Sequence, residues 1–490
     1  MLKKIRVAVS VLVFGLLSFY FMDFAGILPS EFHVLGHIQF IPAWLSRNIA
    51  VMLGLVACTM LFGRVYCSSI CPMGMFQDVA NRCSKSKKFA YRKNNLVLRW
   101  SILAAFLILF HLGFAVIIGI FDPYSAYGRI AVHIFKPIYM FANNILAFVF
   151  NHFGNYAFYQ TEIAILSISS FCIALFTFIF IGVLALAKGR LYCNTICPVG
   201  TVLGFMNKFS LFKIQIDSDK CVSCGICAKK CKASCIDARA KTVDYSRCVN
   251  CFNCINSCNK KGISFSMNKN KLEVDKSKRR FLLSGLTIAA AAPAVFAQTK
   301  AELQNRKNAI SPPGAVSAER LLKHCTSCHL CISKCPSKVL KPAFMEYGIG
   351  GMMQPVMYFE KGFCNFDCTL CTDVCPNNAL TSLTMEQKHR LQVGRVVFKP
   401  DICVVHTKGT SCGACSEHCP TQAVKMIPYK NGLTIPFIDT DICVGCGGCE
   451  FICPVRPHRA IYVEGNRVHK QAKAFDVEKK DEKEITDFGF

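Results

Sequence analysis

The chain has 490 residues, 52% of them hydrophobic, and a formal net charge of +27. That is room for several domains, and the apolar excess falls in the first 190 residues, which excludes a uniformly soluble protein. The positive charge sits beside apolar segments, as in Lys3, Lys4 and Arg6, or Lys85, Lys87, Lys88, Arg92 and Lys93. Flanking charge of this kind marks inner-membrane topology and gives no case for nucleic acid as a partner.

In chain order, four apolar segments are long enough to cross a hydrocarbon core of about 30 Å: Ile5–Met22, Ile49–Tyr66, Leu96–Ile120 and Ile163–Ala187. The first has no small-residue cleavage site soon after it and reads as an uncleaved anchor. With Lys3, Lys4 and Arg6 in the cytoplasm, helices two and four both end inside. A fifth segment, Ile130–Phe150, carries His133, Lys136, Asn143 and Asn144 and reads as an amphipathic or re-entrant piece on the outer face.

The inner ends of helices two and four carry a repeat. GRVYCSSICPMG runs from Gly63 to Gly74, and GRLYCNTICPVG from Gly189 to Gly200, with eight of twelve positions identical. Proline after the second cysteine suits the first position of a new helix. Cys71 and Cys197 would then lie at helix N-termini, where the dipole and nearby Arg64 and Arg190 favour thiolate. Related by a pseudo-twofold axis, the loops could gather Cys67, Cys71, Cys193 and Cys197 around iron or an iron–sulfur unit. A redox-active dithiol and a structural turn are the other readings of the same residues.

Most of the 32 cysteines fall in tight runs of four, a spacing suited to iron–sulfur clusters and unlike a disulfide framework. Cys221, Cys224, Cys227 and Cys231, then Cys248, Cys251, Cys254 and Cys258, follow the C-x2-C-x2-C-x3-C pattern of two-cluster ferredoxins. Lys232 and Asn259 stand where proline usually follows. Zinc is the competing ligand for four cysteines, but two tandem triple spacings favour iron–sulfur. Four further runs are Cys325, Cys328, Cys331 and Cys335; Cys364, Cys368, Cys371 and Cys375; Cys403, Cys412, Cys415 and Cys419; and Cys443, Cys446, Cys449 and Cys453. Each of these ends in Cys-Pro. The total is six [4Fe–4S] sites, with the fourth ligand of each cubane not readable from spacing. Cys325-Thr-Ser-Cys328-His329 also fits a c-type haem motif, but the run continues to Cys331 and Cys335, which haem would not require. Cys58, Cys83, Cys172 and Cys235 read as small packing residues.

Between the second and third runs, KSKRRFLLSGLTIAAAAPAVFAQ (Lys276–Gln298) has the shape of a twin-arginine export signal set inside a chain, with Lys278-Arg279 at the paired position. A domain filled with clusters in a reducing compartment would need export in folded form. The expected organisation is a membrane domain over 1–210, a two-cluster domain over 211–270, the signal or a fifth helix over 276–300, a four-cluster domain over 301–465 and a charged tail over 466–490. The expected fold is an α-helical membrane domain (four transmembrane helices in a duplicated two-helix unit) followed by α+β ferredoxin-like domains.

With these motifs in place, residues 1–270 resemble the NapH-type membrane ferredoxin, and residues 276–465 the NapG-type exported ferredoxin, of periplasmic nitrate reductase systems. The resemblance implies an inner-membrane electron-transfer protein, with the two-cluster domain in the cytoplasm and the four-cluster domain in the periplasm. It also implies oxidation of membrane quinol (menaquinol or ubiquinol) and delivery to a periplasmic reductase or cytochrome. It names no quinol site; His111, Asp122, Tyr124 and Arg129, polar groups in or beside the third helix, are the candidates. The rival function is a reductant or assembly factor for metalloenzyme maturation.

Overall fold

The computed structural model describes residues 1–83, 89–93, 95–112, 115–163, 166–267, 306 and 308–473. The signal-like segment and the basic residues Lys85, Lys87 and Lys88 lie outside them.

Three described helices are long and apolar enough to cross a membrane: Leu2–Met22, Pro123–His152 and Ile168–Lys188. Their outward faces are apolar, as at Val11 (66% exposed), Phe148 (70%) and Phe176 (69%), a surface that suits lipid. Two of the four expected spans are shorter. The second is a 14-residue helix, Ile49–Phe62, begun by the Asn48 side chain accepting from Val51 N and ended at Gly63 with φ 75°. The third is split, with Leu96–His111 ending before the separate helix Ala115–Phe121. Among the described residues there are thus three long apolar helices and two shorter ones of 14 and 16 residues.

The segment expected as amphipathic or re-entrant lies within the longest helix of all, Pro123–His152, whose middle turn Ala131–Phe135 is π-helical. Asp122 caps its start by accepting from Tyr124 N (3.2 Å) and Ser125 N (3.0 Å), with Pro123 at the first position. Length alone would let it span. Its polar residues have local uses instead: Asn143 and Asn144 donate to the carbonyls of Tyr159 and Thr161, and the 125–136 stretch faces a ferredoxin unit, as described below.

Two α+β ferredoxin units follow. In the first, Phe212–Ile216 pairs antiparallel with Ile263–Met267, and the second cysteine of each run precedes a one-turn helix, Ile226–Lys229 or Asn253–Ser257. In the second, three antiparallel pairs recur, the longest joining Leu391–Phe398 to Ile461–Gln471. That last strand continues past 466: after a break in register at Gly465, Lys470 and Gln471 pair with Gln392 and Leu391, Val468 bridges Ser317, and Ala472 is buried.

Candidate metal centres

The ferredoxin cysteines gather in fours with one ligand exchanged. A cavity in the first unit is lined by Cys221, Cys224, Cys227 and Cys258, and another by Cys231, Cys248, Cys251 and Cys254. In the second unit Cys403, Cys412 and Cys415 share a cavity with Cys453, and Cys443, Cys446 and Cys449 share one with Cys419. Cys325, Cys328 and Cys331 lie near Cys375, while Cys364, Cys368 and Cys371 lie near Cys335. In every case the fourth cysteine crosses to its neighbour's group, the ligand exchange of two-cluster ferredoxins. These donor sets suit [4Fe–4S] cubanes. Cys235 lies 3.5 Å, sulfur to sulfur, from Cys231 and lines the same cavity as the second group, closer to the chemistry than a packing residue.

The haem reading of Cys325–His329 fails on the histidine. His329 Nε2 donates to Met353 O (2.8 Å), so Nδ1 accepts from His133 Nε2 (2.7 Å), and neither ring nitrogen remains for iron.

The two copies of the repeat interlock. Cys67, Cys71, Cys193 and Cys197 are 3–4% exposed and belong to one apolar core. Every pair among the four thiols is within electrostatic reach. Arg64 of the first copy donates to Cys193 O of the second (3.3 Å), and Arg190 of the second donates to Cys67 O of the first (2.5 Å). Both guanidiniums are buried, at 0% and 1%. The closing glycines make room for this crossing: a Cβ on Gly74 would strike Cys67 O and Arg190, and one on Gly200 would strike Cys193 O and Arg64. The opening glycines, Gly63 and Gly189, have φ of 75° and 64° and sit against Asn250 and Lys232 of the first ferredoxin unit. Tyr66 donates to Gln39 (2.9 Å), and Tyr192 to Phe121 O (3.3 Å). N–H groups reach two sulfurs, Gly200 N to Cys197 (3.3 Å) and Gln77 Nε2 to Cys193 (3.1 Å). Burial pushes the Cys71 and Cys197 thiols well up, opposed by the amides of Gly74 and Gly200.

The ferredoxin units seat at opposite ends of the first helix. At its start, Asp78 binds Arg190 (2.9 Å), Lys232 (3.0 Å) and Arg6 (3.4 Å), tying the helical block to the residue that follows Cys231. Arg64 donates to Ser246 O (3.1 Å), Arg99 to Ser246 Oγ (3.2 Å), and Asn250 to Phe62 O. Lys232 thus docks the unit from the position where proline was expected. At the helix's other end, Ser333 donates to Phe21 O (2.6 Å) and Lys334 pairs with Asp23 (2.8 Å). One stripe of the long helix, Ser125, Arg129, His133 and Lys136, bonds Thr326, Ser327 O, His329 and Ser333 of the second unit.

The quinol candidates divide accordingly. Asp122 is a helix cap that also accepts from Ser125 Oγ (2.6 Å), and Arg129 donates to Ser327 O (3.2 Å), so both serve the seam. Tyr124 is buried beside them, its hydroxyl without a hydrogen-bond partner among the described residues. His111 ends its helix against Phe110, and among the described residues no hydrogen bond joins it to the other three. The seam residues escaped the sequence reading because only the helical spacing of Ser125, Arg129, His133 and Lys136 signals them, and a sequence does not show what such a stripe faces.

This fold and these cysteine groups define an iron–sulfur polyferredoxin. Comparison with known proteins agrees. The family model described as "4Fe-4S binding domain" matches residues 47–90 and 171–217, which hold the two repeat copies. Models described as "4Fe-4S dicluster domain" match 363–423 and 408–456, and 244–339. The last joins the second run to the third, whereas ligand exchange in the structure joins the second to the first. The chain is 28% identical over 160 residues to the ferredoxin-type protein NapF of Escherichia coli K12, covering 32% of this chain and 88% of NapF. It is 27% identical over 192 residues to NapG of the same strain, covering 36% and 80%. The methylamine utilization ferredoxin-type protein MauM of Methylobacillus flagellatus is 27% identical over 203 residues, covering 38% and 83%. In these parts the chain is similar to the ferredoxin-type proteins NapF, NapG and MauM.

Proposed function

We propose that this protein is an inner-membrane electron conduit that takes electrons from quinol and delivers them, through its second ferredoxin unit, to a reductase or cytochrome. The observation that carries the reading is the seating of two ferredoxin units at opposite ends of one apolar helix. Six [4Fe–4S] clusters, one in each group of four ferredoxin cysteines, supply one-electron redox chemistry when bound. The chain's own residues hold and space them: the crossed fourth cysteines tie the groups in pairs, and the two docking seams fix each unit against the block. In this reading the first unit is cytoplasmic, and the second is periplasmic, carried there by the signal-like segment. The acceptor is of the nitrate reductase type; the MauM relatives, named for methylamine utilization, widen the class of acceptor beyond nitrate reductases.

Menaquinol added to the purified protein should reduce clusters visible by EPR, and no reduction of any cluster would overturn the quinol step. Protease added to spheroplasts should cut the unit holding Cys325–Cys453; protection of that unit would overturn the orientation.

A further inference from the structure

The repeat is the one motif that the six-cluster reading leaves without a task. Its four cysteines are buried, and like the ferredoxin ligands of one group each lies within electrostatic reach of the others. A free dithiol would need an accessible, acidified sulfur. Here all four sulfurs are buried, and two buried guanidiniums stand ready to balance a thiolate-bound metal. Arg64 lies 3.8 Å from the Cys67 sulfur. Amide N–H groups point at Cys193 and Cys197, an environment that tunes a thiolate already bound to iron.

The reciprocal bracing decides between one centre and two. Each arginine leaves its own loop and fastens the first cysteine of the other. Neither loop is complete without its partner, and each supplies only two thiols where a cubane needs four ligands.

We propose that Cys67, Cys71, Cys193 and Cys197 together hold a seventh iron–sulfur cluster, a single [4Fe–4S] centre shared between the two copies of the repeat. The site lies in one continuous apolar core with Cys251 of the first ferredoxin unit and Cys328 of the second. Contacts lead out of it on both sides, through Arg190, Asp78 and Lys232 towards the first unit, and through Tyr192 and the Phe121–Ser125 turn towards the second. An electron passing between the units would reduce this site and then leave it, so the balance closes with no proton and no co-reactant.

Iron and acid-labile sulfide counts on the purified full chain test this without activity. The wild type should carry about four irons beyond the six ferredoxin cubanes, and a count that stops at the six overturns the proposal. The paired variants Cys67→Ser/Cys71→Ser and Cys193→Ser/Cys197→Ser should each lose the same centre, about four irons, and the combined variant should lose no more. Losses that add, or no loss, would overturn a shared centre. Should the serine variants not accumulate, Gln77→Leu keeps all four ligands and removes one N–H···S bond. Its redox titration followed by Mössbauer spectroscopy should shift one component alone, and an unchanged titration counts against the proposal. Failure of the quinol reading would leave these counts untouched, so the two are separable.

Discussion

The two ferredoxin units are held by different chemistry. The first is fastened by charge: one carboxylate, Asp78, gathers cations from the first helix, from the second repeat copy and from the first unit itself. The second is fastened mainly by hydrogen bonds to uncharged acceptors laid along one helical stripe, two of them donated by the cations Arg129 and Lys136, with one ion pair, at Asp23, among the described residues. A buried charge hub is costly to break at one point, because each remaining ion loses its partner, whereas a row of separate hydrogen bonds to uncharged acceptors fails piecemeal. The contrast teaches that a break in the first seam should spread, and a break in the second should stay local.

The largest effect is expected at the hub. Asp78→Asn leaves Arg190 and Lys232 without their counter-ion and should cost about 3–5 kcal/mol. Early thermal loss of the first unit's iron–sulfur absorbance would report it, and a shift confined to the second unit would break the comparison. Burial alone would push the Asp78 carboxyl up, but Arg190 and Lys232 outweigh it and hold it well below the usual range. Its contribution is therefore complete above the unfolded value of about 3.9 and fades as pH falls below it towards the folded value. The gap between wild type and variant should stay flat from about pH 5 to 8 and close in acid.

Next come the closing glycines of the repeat. Gly74→Ala and Gly200→Ala each press a methyl group into the crossing arginine and a cysteine carbonyl, at about 1–3 kcal/mol. Their melting shifts should match within error, since the crossing is reciprocal; a marked difference would show that the copies are not equivalent. In the second seam, His133→Ala strips His329 of its donor and should cost about 1–3 kcal/mol. Limited proteolysis should then open the second unit while the first keeps its protection.

The smallest effect is a slope. Burial holds His469, which bonds Ser311, down at about 4, so it stays neutral in the folded second unit. The unfolded chain takes up that proton below about pH 6.5, so the second unit should lose stability as pH falls from about 6.5 towards 4. His469→Gln should reduce the slope seen in pH-dependent unfolding, the half-buried His324 and the buried His329 supplying the rest, and the first unit, which has no histidine, should show no matching one.

Much of the site is legible in the sequence itself. Cysteine runs declare themselves because a cubane fixes the short spacing of its ligands, and the repeat declares itself by identity. The partner of each run does not, because the crossed fourth ligand is a relation between segments far apart in sequence. Lys232 reads as a lost proline because its partner, Asp78, lies in another domain. The extent of the long helix is hidden because its polar residues mask its continuity, and hydropathy cannot tell a residue that meets water from one that meets a ferredoxin. The charge of the last residues likewise conceals a strand, since the sheet partner Leu391–Phe398 lies some 70 residues upstream.

The crossed arginines bear on the history of the chain as well as its stability. A duplicated unit is ordinarily free to let one copy decay once the other suffices. Here each copy is built with a gap that only the other's arginine fills, so a change in either loop is felt in both. Two such segments inherit as one, and neither can be trimmed, swapped or specialised without its twin.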